Sequence, residues 1–290
     1  MKNLNKKTLL VLLASMFSIP AYAIDVDAKD YLPAPDGTNV FLFYGQYAQR
    51  DALYAGDKKV ESDPKLESTV SLFRFVHFTK FKDYVIAPQI TIPVGKLKAS
   101  KDISALGESS GVLGDIILAN TVLLYNEPEK GKVWGVTPFL TLPTGSYDKN
   151  DALNMGENRY KFTFQTSFVN KFTDKLGTDL SADVTFYGKN DEYGQNSTLK
   201  QDPGYQLQAD IFYDIHNNFD LRAGVSYLNA GETKVENVTA DAAEQTKIWF
   251  GSQISLNPKS SLILMVGRDI KVENTFRENA RFNLRYTYAF

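Results

Sequence analysis

Apolar and polar residues alternate along much of the chain, and the pattern is clearest in the last ten residues. Apolar, mostly aromatic side chains occupy every second position there: Phe282, Leu284, Tyr286, Tyr288 and Phe290. Polar or charged side chains occupy the positions between them: Arg281, Asn283, Arg285 and Thr287. Because successive side chains of a β-strand point to opposite faces, this segment is predicted to be a strand with an aromatic face and a charged face. This pattern is typical of the closing strand of a membrane-spanning barrel, and the alternative is the last strand of a soluble β-sandwich.

Twelve strands are predicted, and most have the length of about ten residues that a tilted strand needs to cross a bilayer. They cover residues 39–47, 66–78, 84–94, 113–125, 132–143, 160–170, 176–187, 204–214, 219–228, 245–256, 261–270 and 280–290. The connections between them alternate between long and short. Outer-membrane barrels have long external loops, short periplasmic turns and an even number of strands, whereas a soluble sandwich has no reason to alternate in this way. The predicted fold is therefore all-β, a transmembrane, antiparallel, up-and-down β-barrel of about 12 strands over residues 39–290.

The N-terminal residues have the pattern of a secretory signal peptide. Three lysines precede an apolar run at 9–19, and a small-x-small sequence follows at 21–23. The apolar run is too short to span a membrane as a helix. Residues 1–23 are therefore predicted to be a signal peptide that is removed after Ala23, and residues 24–38 to be a periplasmic segment before the barrel. The expected localisation is the outer membrane of a Gram-negative type of cell.

Composition excludes several kinds of chemistry. The chain has no Cys, so disulfides, thiolate metal sites and a Cys nucleophile are excluded. Its two histidines, His77 and His216, form no cluster with metal-ligand spacing and are predicted to lie at the periplasmic end. A membrane-embedded Ser-His hydrolase would need its His near the outer leaflet, and the Gly-x-Ser-x-Gly motif is absent. We therefore expect no enzyme activity, no metal and no cofactor. The net charge of −2, without a basic stripe, argues against a nucleic-acid partner.

Three sequence features together resemble a known family. Residues 30–39 (Asp-Tyr-Leu-Pro-Ala-Pro-Asp-Gly-Thr-Asn) are followed by Phe-Leu-Phe-Tyr at 41–44, and the pattern Pro-x-x-Thr-x-Pro-x-Gly occurs at 88–95 and 138–145. Over its whole mature length the chain resembles the outer-membrane proteins called the "MetA-pathway of phenol degradation", or phenol meta-pathway transporter-like, family. The resemblance implies an outer-membrane barrel that transports small hydrophobic or aromatic compounds. It supplies no functional residues.

The candidate site is the set of polar side chains on the predicted inner face of the strands. These candidate lumen residues are Lys161, Asp179, Asp183, Asp210, Arg222, Lys247, Arg281 and Arg285. Two interpretations stay open: the charges pair across neighbouring strands of the wall, or they line a solute path and are hydrated. Four basic members are expected to attract an aromatic carboxylate or a phenolate: Arg222, Lys247, Arg281 and Arg285. A barrel of this size lies between filled eight-stranded barrels and open porins, so strand number does not decide between the two.

The expected function is passive uptake of small hydrophobic or aromatic compounds through an outer-membrane channel. The alternative is a non-transporting barrel that is structural or binds a partner at the cell surface. The expected partners are outer-membrane lipid, lipopolysaccharide, the solute and the barrel-assembly machinery. The resemblance to barrel proteins implies that the assembly machinery recognises the C-terminal Phe290; the alternative is that Phe290 only fills an aromatic girdle.

Overall fold

Twelve long strands form a closed antiparallel barrel in the computed structural model, which describes residues 25–109, 111–194 and 197–290. The strands, in chain order, are β1 (Asn39–Ala55), β2 (Pro64–His77), β3 (Tyr84–Lys101), β4 (Ile117–Glu127), β5 (Lys132–Thr141), β6 (Lys161–Lys171), β7 (Leu176–Tyr187), β8 (Gly204–His216), β9 (Phe219–Asn229), β10 (Glu244–Asn257), β11 (Ser260–Glu273) and β12 (Phe276–Ala289). Each strand pairs with the next, and β12 pairs with β1 to close the barrel. The predicted fold class and strand number are confirmed. The predicted signal peptide, residues 1–23 with cleavage after Ala23, lies outside the described residues.

The two ends of the barrel differ in their connections. Short turns join the strands at the end where the first strand starts and the last strand stops, which we call the short-turn end. At the opposite, long-loop end, the connections include the short strand Lys58–Lys59 and a 3-10 helix at Ser104–Leu106. They also form a separate four-stranded sheet from Asn190–Tyr193, Ser197–Gln201, Thr233–Val235 and Val238–Ala240. The predicted alternation of long and short connections is present except at the last long connection, predicted at 271–279, where only Asn274 and Thr275 join β11 to β12.

Several strands are longer than predicted at the long-loop end. β1 continues to Ala55 instead of ending at 47, β3 continues to Lys101 instead of 94, and β12 begins at Phe276 instead of 280. The backbone ladder continues beyond the apolar band, where neither face of a strand contacts lipid. Apolar and polar residues therefore no longer alternate there, and the pattern cannot show where a strand ends.

The two faces of the wall follow the predicted alternation. In β8 the outward side chains are exposed, for example Leu207 (53%) and Ile211 (48%), while the inward Gln206, Gln208 and Asp210 are buried. In β12, Phe282 is 54% exposed and Arg281 is 6% exposed. An apolar outer face and a polar interior are the arrangement of a barrel that crosses a lipid bilayer. Among the described residues, no helix has the length and apolar character needed to cross a membrane.

The interior is filled by the residues that precede the first strand. Val26, Ala28 and Tyr31 are buried in one apolar cluster with wall side chains that include Val169 and Phe212. The segment 25–32, which we call the N-terminal segment, therefore lies inside the barrel. This location differs from the expectation that residues 24–38 lie in the periplasm before the barrel. The physical reason is that the segment has apolar and charged partners on the inner face of the wall, which strand periodicity does not reveal.

The assignment of the lipid face makes a direct prediction. Replacing Ile211 by Arg places a charge in the apolar band, and we expect a loss of about 2–4 kcal/mol in the free energy of unfolding. The matched control, Ile211→Leu, stays close to the wild type. Unfolding in urea within lipid vesicles measures both variants. Equal stability of Ile211→Arg and Ile211→Leu would show that this face does not contact lipid.

Candidate functional site

Lys29 fixes the N-terminal segment to one side of the lumen. Its ammonium group lies 2.9 Å from Asp220 Oδ2 in β9 and also pairs with Asp214 in β8. The Nζ atom lies 4.7 Å from the centre of the Phe212 ring, which adds a cation–π contact. The two wall carboxylates therefore hold a cation that belongs to the segment.

The acidic residues of the segment meet cations in another part of the wall, in β12, three strands from β9. Arg285 Nη1 lies 2.8 Å from Asp27 Oδ2 and also pairs with Asp30. Arg281 Nη1 lies 3.5 Å from Asp25 Oδ2. The segment is thus joined to two parts of the wall by ion pairs of opposite polarity, and each charge of these pairs gains the partner that burial requires.

Hydrogen bonds to the backbone and to Tyr31 complete the attachment. The Val26 backbone N–H donates to Gln208 Oε1 at 3.3 Å, and Arg222 Nη1 donates to the Ala28 carbonyl at 3.2 Å. The Tyr31 hydroxyl lies 2.8 Å from Thr137 Oγ1 and donates to Gln165 Oε1 at 3.2 Å. Side chains from β5, β6, β8 and β9 therefore bind the segment along its length.

All eight candidate lumen residues lie on the inner face, but they do not form one site. Arg281 and Lys247 belong to a buried cluster around Glu278, which also pairs with Arg50 at 2.9 Å. Arg281 Nε lies 2.6 Å from Glu278 Oε1, whereas Lys247 Nζ is 3.9 Å away. Glu278 was not among the predicted lumen residues, because a register shift between Glu278 and Ala280 puts it on the inner face out of step with Arg281 and Arg285. For this cluster, the interpretation of pairing within the wall is the better one.

The remaining candidates are bound to their neighbours as well. Arg222 Nη2 lies 2.7 Å from Asp220 Oδ2 and also donates to Gln253. Asp210 accepts hydrogen bonds from Trp249 Nε1 at 3.0 Å and from Gln208 Nε2. The other acidic candidates bind neutral donors: Asp179 accepts from Ser167 and from the Lys29 backbone N–H, and Asp183 accepts from Gln165.

Lys161 belongs to a different cluster, in the loop at the long-loop end. It pairs with Glu157, which also lies 2.6 Å from Arg159 Nη2. Burial by itself would raise the pKa of Glu157, but the charges of Lys161 and Arg159 lower it to about 2. Nearby, burial raises the pKa of Asp115 although its carboxylate accepts backbone N–H groups of Gly145 and Glu157. This cluster fastens the loop 142–160 and lies apart from the N-terminal segment.

A large cavity in the lumen lies toward the short-turn end. It has a volume of about 360 Å³ and lies between the N-terminal segment and the wall. Its lining is mainly apolar and includes Val40, Leu42, Val76, Ala87 and Leu123. We call it the lower cavity.

The smaller cavity, the upper cavity, lies toward the long-loop end and measures about 110 Å³. Val70, Ile117 and Phe139 contribute to its lining. Arg74 and Arg285 line both cavities, so these two side chains lie where the cavities adjoin. Arg74 was not among the predicted lumen residues, although it occupies an inward position between the outward Phe73 and Phe75.

The potential metal ligands of the described residues are dispersed, and the two histidines lie at one end of the barrel. Within residues 25–109, 111–194 and 197–290, no group of three or more His, Cys, Asp or Glu side chains is placed to hold a metal ion. His77 and His216 are exposed at the short-turn end, and His77 Nδ1 lies 2.9 Å from Asn39 Oδ1. The arrangement that remains is a filled lumen with two cavities beside it.

Comparison with known proteins agrees with this architecture. The family model described as "Putative MetA-pathway of phenol degradation" matches residues 48–286. The crystal structure of an outer membrane channel from Pseudomonas putida F1 is 36% identical, with a TM-score of 0.88 over 92% of this chain and 100% of that chain. No curated protein matches the chain.

Two more distant structures share the fold alone. The β domain of the Bordetella autotransporter Brka is 8% identical, with a TM-score of 0.53 over 88% of this chain and 100% of that chain. The transport unit of the autotransporter AIDA-I from Escherichia coli is 8% identical, with a TM-score of 0.51 over 97% and 99% of the two chains.

The ion pairs of Lys29 lead to a prediction about the N-terminal segment. In Lys29→Met, Asp220 keeps Arg222 and Asp214 keeps Lys171 as partners, so the wall retains its pairs while the segment loses an anchor. We expect larger and more variable single-channel conductance in planar bilayers. Lys175→Met, at an exposed position of the same barrel end, is the matched control and behaves as the wild type. Identical conductance traces for all three proteins would show that Lys29 does not hold the segment in place.

Proposed function

The chain belongs to the MetA-pathway of phenol degradation family, and from this we propose that it is a channel for passive uptake of small hydrophobic or aromatic compounds across the outer membrane. The barrel is an outer-membrane barrel, and its Pseudomonas putida relative is a channel of the outer membrane. Outer-membrane barrels have their short turns in the periplasm and their long loops outside the cell. The short-turn end therefore faces the periplasm and the long-loop end faces the cell exterior.

The observation that carries the proposal is the pair of cavities inside the barrel. The lower cavity, of about 360 Å³, has the size and the mainly apolar lining of a small-molecule site. The upper cavity continues the same side of the lumen toward the exterior. Arg74, Arg285 and the N-terminal segment separate the two cavities, so passage of a solute requires these groups to move.

A second candidate function is supported by the filled lumen itself. The N-terminal segment is bound by ion pairs on both sides, which is the arrangement expected of a closed, non-transporting barrel. In that case the protein is structural or binds a partner through its long loops. Lipopolysaccharide and membrane lipid are proposed as its surroundings under both functions, because exposed apolar side chains cover the outer face.

Uptake by whole cells tests the proposal against this alternative. Cells that lack other channels and express the protein should take up radiolabelled benzyl alcohol faster than cells without it. Ala87→Trp puts a large side chain into the lower cavity and should reduce the rate. Leu264→Trp, on the outer face, is the matched control and should leave the rate unchanged. Equal uptake with and without the folded protein would favour the non-transporting barrel.

Phe290 is proposed to be a recognition element for the barrel-assembly machinery. Its backbone exchanges two hydrogen bonds of 2.9 Å with Asn39, while its side chain is 55% exposed at the short-turn end and stacks on Tyr288. The backbone therefore helps to close the barrel and the side chain stays accessible to another protein.

Substitution of Phe290 separates recognition from packing. Phe290→Ala keeps the backbone hydrogen bonds, so we expect refolding in detergent close to that of the wild type. In cells, the folded fraction, measured by heat-modifiable mobility on gels, should fall. Similar losses in both settings would mean that the ring only fills an aromatic girdle. Phe282→Ala, on the same outer face, is the control for loss of an aromatic ring.

A further inference from the structure

Arg74 brings a positive charge into the lumen without an ion pair to any described residue. Its Nε donates to Gln89 Oε1 at 2.6 Å, and its Nη1 donates to the Tyr44 hydroxyl at 3.2 Å. Both partners are neutral side chains. A guanidinium enclosed by a barrel destabilises the fold unless it is paired or hydrated, so this charge differs from the other arginines of the lumen.

Those other arginines are already neutralised by carboxylates. Arg222 pairs with Asp220, Arg281 pairs with Glu278, and Arg285 pairs with acids of the N-terminal segment. The arginines that were predicted to attract an anion therefore already pair with carboxylates. The exception is one atom, Arg285 Nε, which has no partner in the described part of the chain.

Two further polar atoms beside Arg74 have no partner. Arg285 Nε and Thr287 Oγ1 are both buried and make no hydrogen bond. Arg285 and Thr287 line the lower cavity together with Arg74. The atoms without a partner thus include an N–H and a hydroxyl, which can both donate.

Strand register brings these three side chains to the same part of the wall. Arg74 in β2 lies opposite Leu42 in β1, and Leu42 lies opposite Thr287 in β12. Arg285 lies one inward position from Thr287, opposite Tyr44. Neighbouring strands are about 4.8 Å apart, so the three donors surround one end of the lower cavity.

The rest of the lower cavity is suited to an apolar body. Val40, Val76, Ala87 and Leu123 line it beyond the donors, and Leu32 of the N-terminal segment contributes from the other side. Asp30 of the segment also lines the cavity, and its carboxylate is already neutralised by Arg285. A polar head at the arginines and an apolar wall beyond them match an amphipathic molecule. Its head must accept hydrogen bonds, because the guanidinium only donates. A negative charge on the head also neutralises Arg74 and strengthens these hydrogen bonds.

We propose that Arg74, Arg285 and Thr287 form a binding site for a small organic anion with an apolar body, namely an aromatic carboxylate. The carboxylate accepts hydrogen bonds from Arg74, with Arg285 Nε and Thr287 Oγ1 as additional donors, and the ring lies in the lower cavity. The proposal rests on the proposed function and narrows its solute class from hydrophobic or aromatic compounds to those with an acidic group.

Calorimetric binding of benzoate to the folded barrel at pH 8 tests the site. Benzamide, which has the same shape and no charge, is the control ligand. We expect benzoate to bind the wild type more tightly than benzamide does. Arg74→Gln should weaken benzoate binding by about 10- to 100-fold, the range for a lost hydrogen bond to a charged group, and should change benzamide binding little. Arg268→Gln, an exposed arginine on β11, is the matched control and should bind as the wild type does.

A second variant keeps the test valid if Arg74→Gln does not fold. Thr287→Val removes one donor without a change in charge and should weaken benzoate binding by a smaller factor. Benzoate binding that is unchanged in the folded variants, or benzamide binding as tight as benzoate binding in the wild type, overturns the proposal.

Uptake of uncharged benzyl alcohol, measured with the same variants, separates the two proposals. If benzyl alcohol crosses but benzoate does not bind, the anion site is refuted and the channel function stands. If benzoate binds as expected and neither solute crosses, the site stands and the channel function is refuted.

Discussion

The structure depends on the pairing of charges that the barrel encloses. A charge inside the lumen is shielded from bulk water and must find a partner or hydration. Lys29 supplies the cation for two carboxylates of β8 and β9, and Arg285 supplies the cation for Asp27 and Asp30. The two sets of pairs have opposite polarity, because the segment supplies the cation to β8 and β9 and the carboxylates to β12. They hold eight residues without regular strand structure inside a wall that would otherwise enclose unpaired charge.

This pairing also decides where space is left. The N-terminal segment is bound by side chains of β5, β6, β8, β9 and β12, and the two cavities lie beside it, mainly along β12, β1, β2, β3 and β4. Arg74 lies between the cavities and is bound only by neutral partners. The charge pairing that holds the N-terminal segment in place therefore leaves one cation, Arg74, beside the lower cavity without a carboxylate partner in the part of the chain that the structure describes.

The strands and their faces were predictable from the sequence because lipid on one side and a polar lumen on the other impose a period of two. Leu207 and Phe282 were assigned to the outer face, and Asp210 and Arg281 to the inner face, from this period alone. The location of the N-terminal segment was not predictable, because its contacts join residues as far apart as Asp30 and Arg285 and leave no periodic trace. For the same reason the candidate lumen residues were placed on the correct face without their partners. Arg74 was missed because a single arginine between two phenylalanines gives no indication of what lies across the lumen.

The central claim is that Arg74 and the lower cavity bind an aromatic carboxylate. A crystal structure of the protein soaked with 4-iodobenzoate tests it most directly, because anomalous scattering locates the iodine atom itself. Among the described residues Arg74 has no carboxylate partner, whereas the other lumen arginines do. We therefore predict one strong iodine peak in the lower cavity, near Ala87 and Leu123, with the carboxylate at Arg74. The N-terminal segment should keep its ion pairs in the same crystal. An iodine peak only on the outer apolar face, with the lower cavity empty at saturating ligand, would contradict the account.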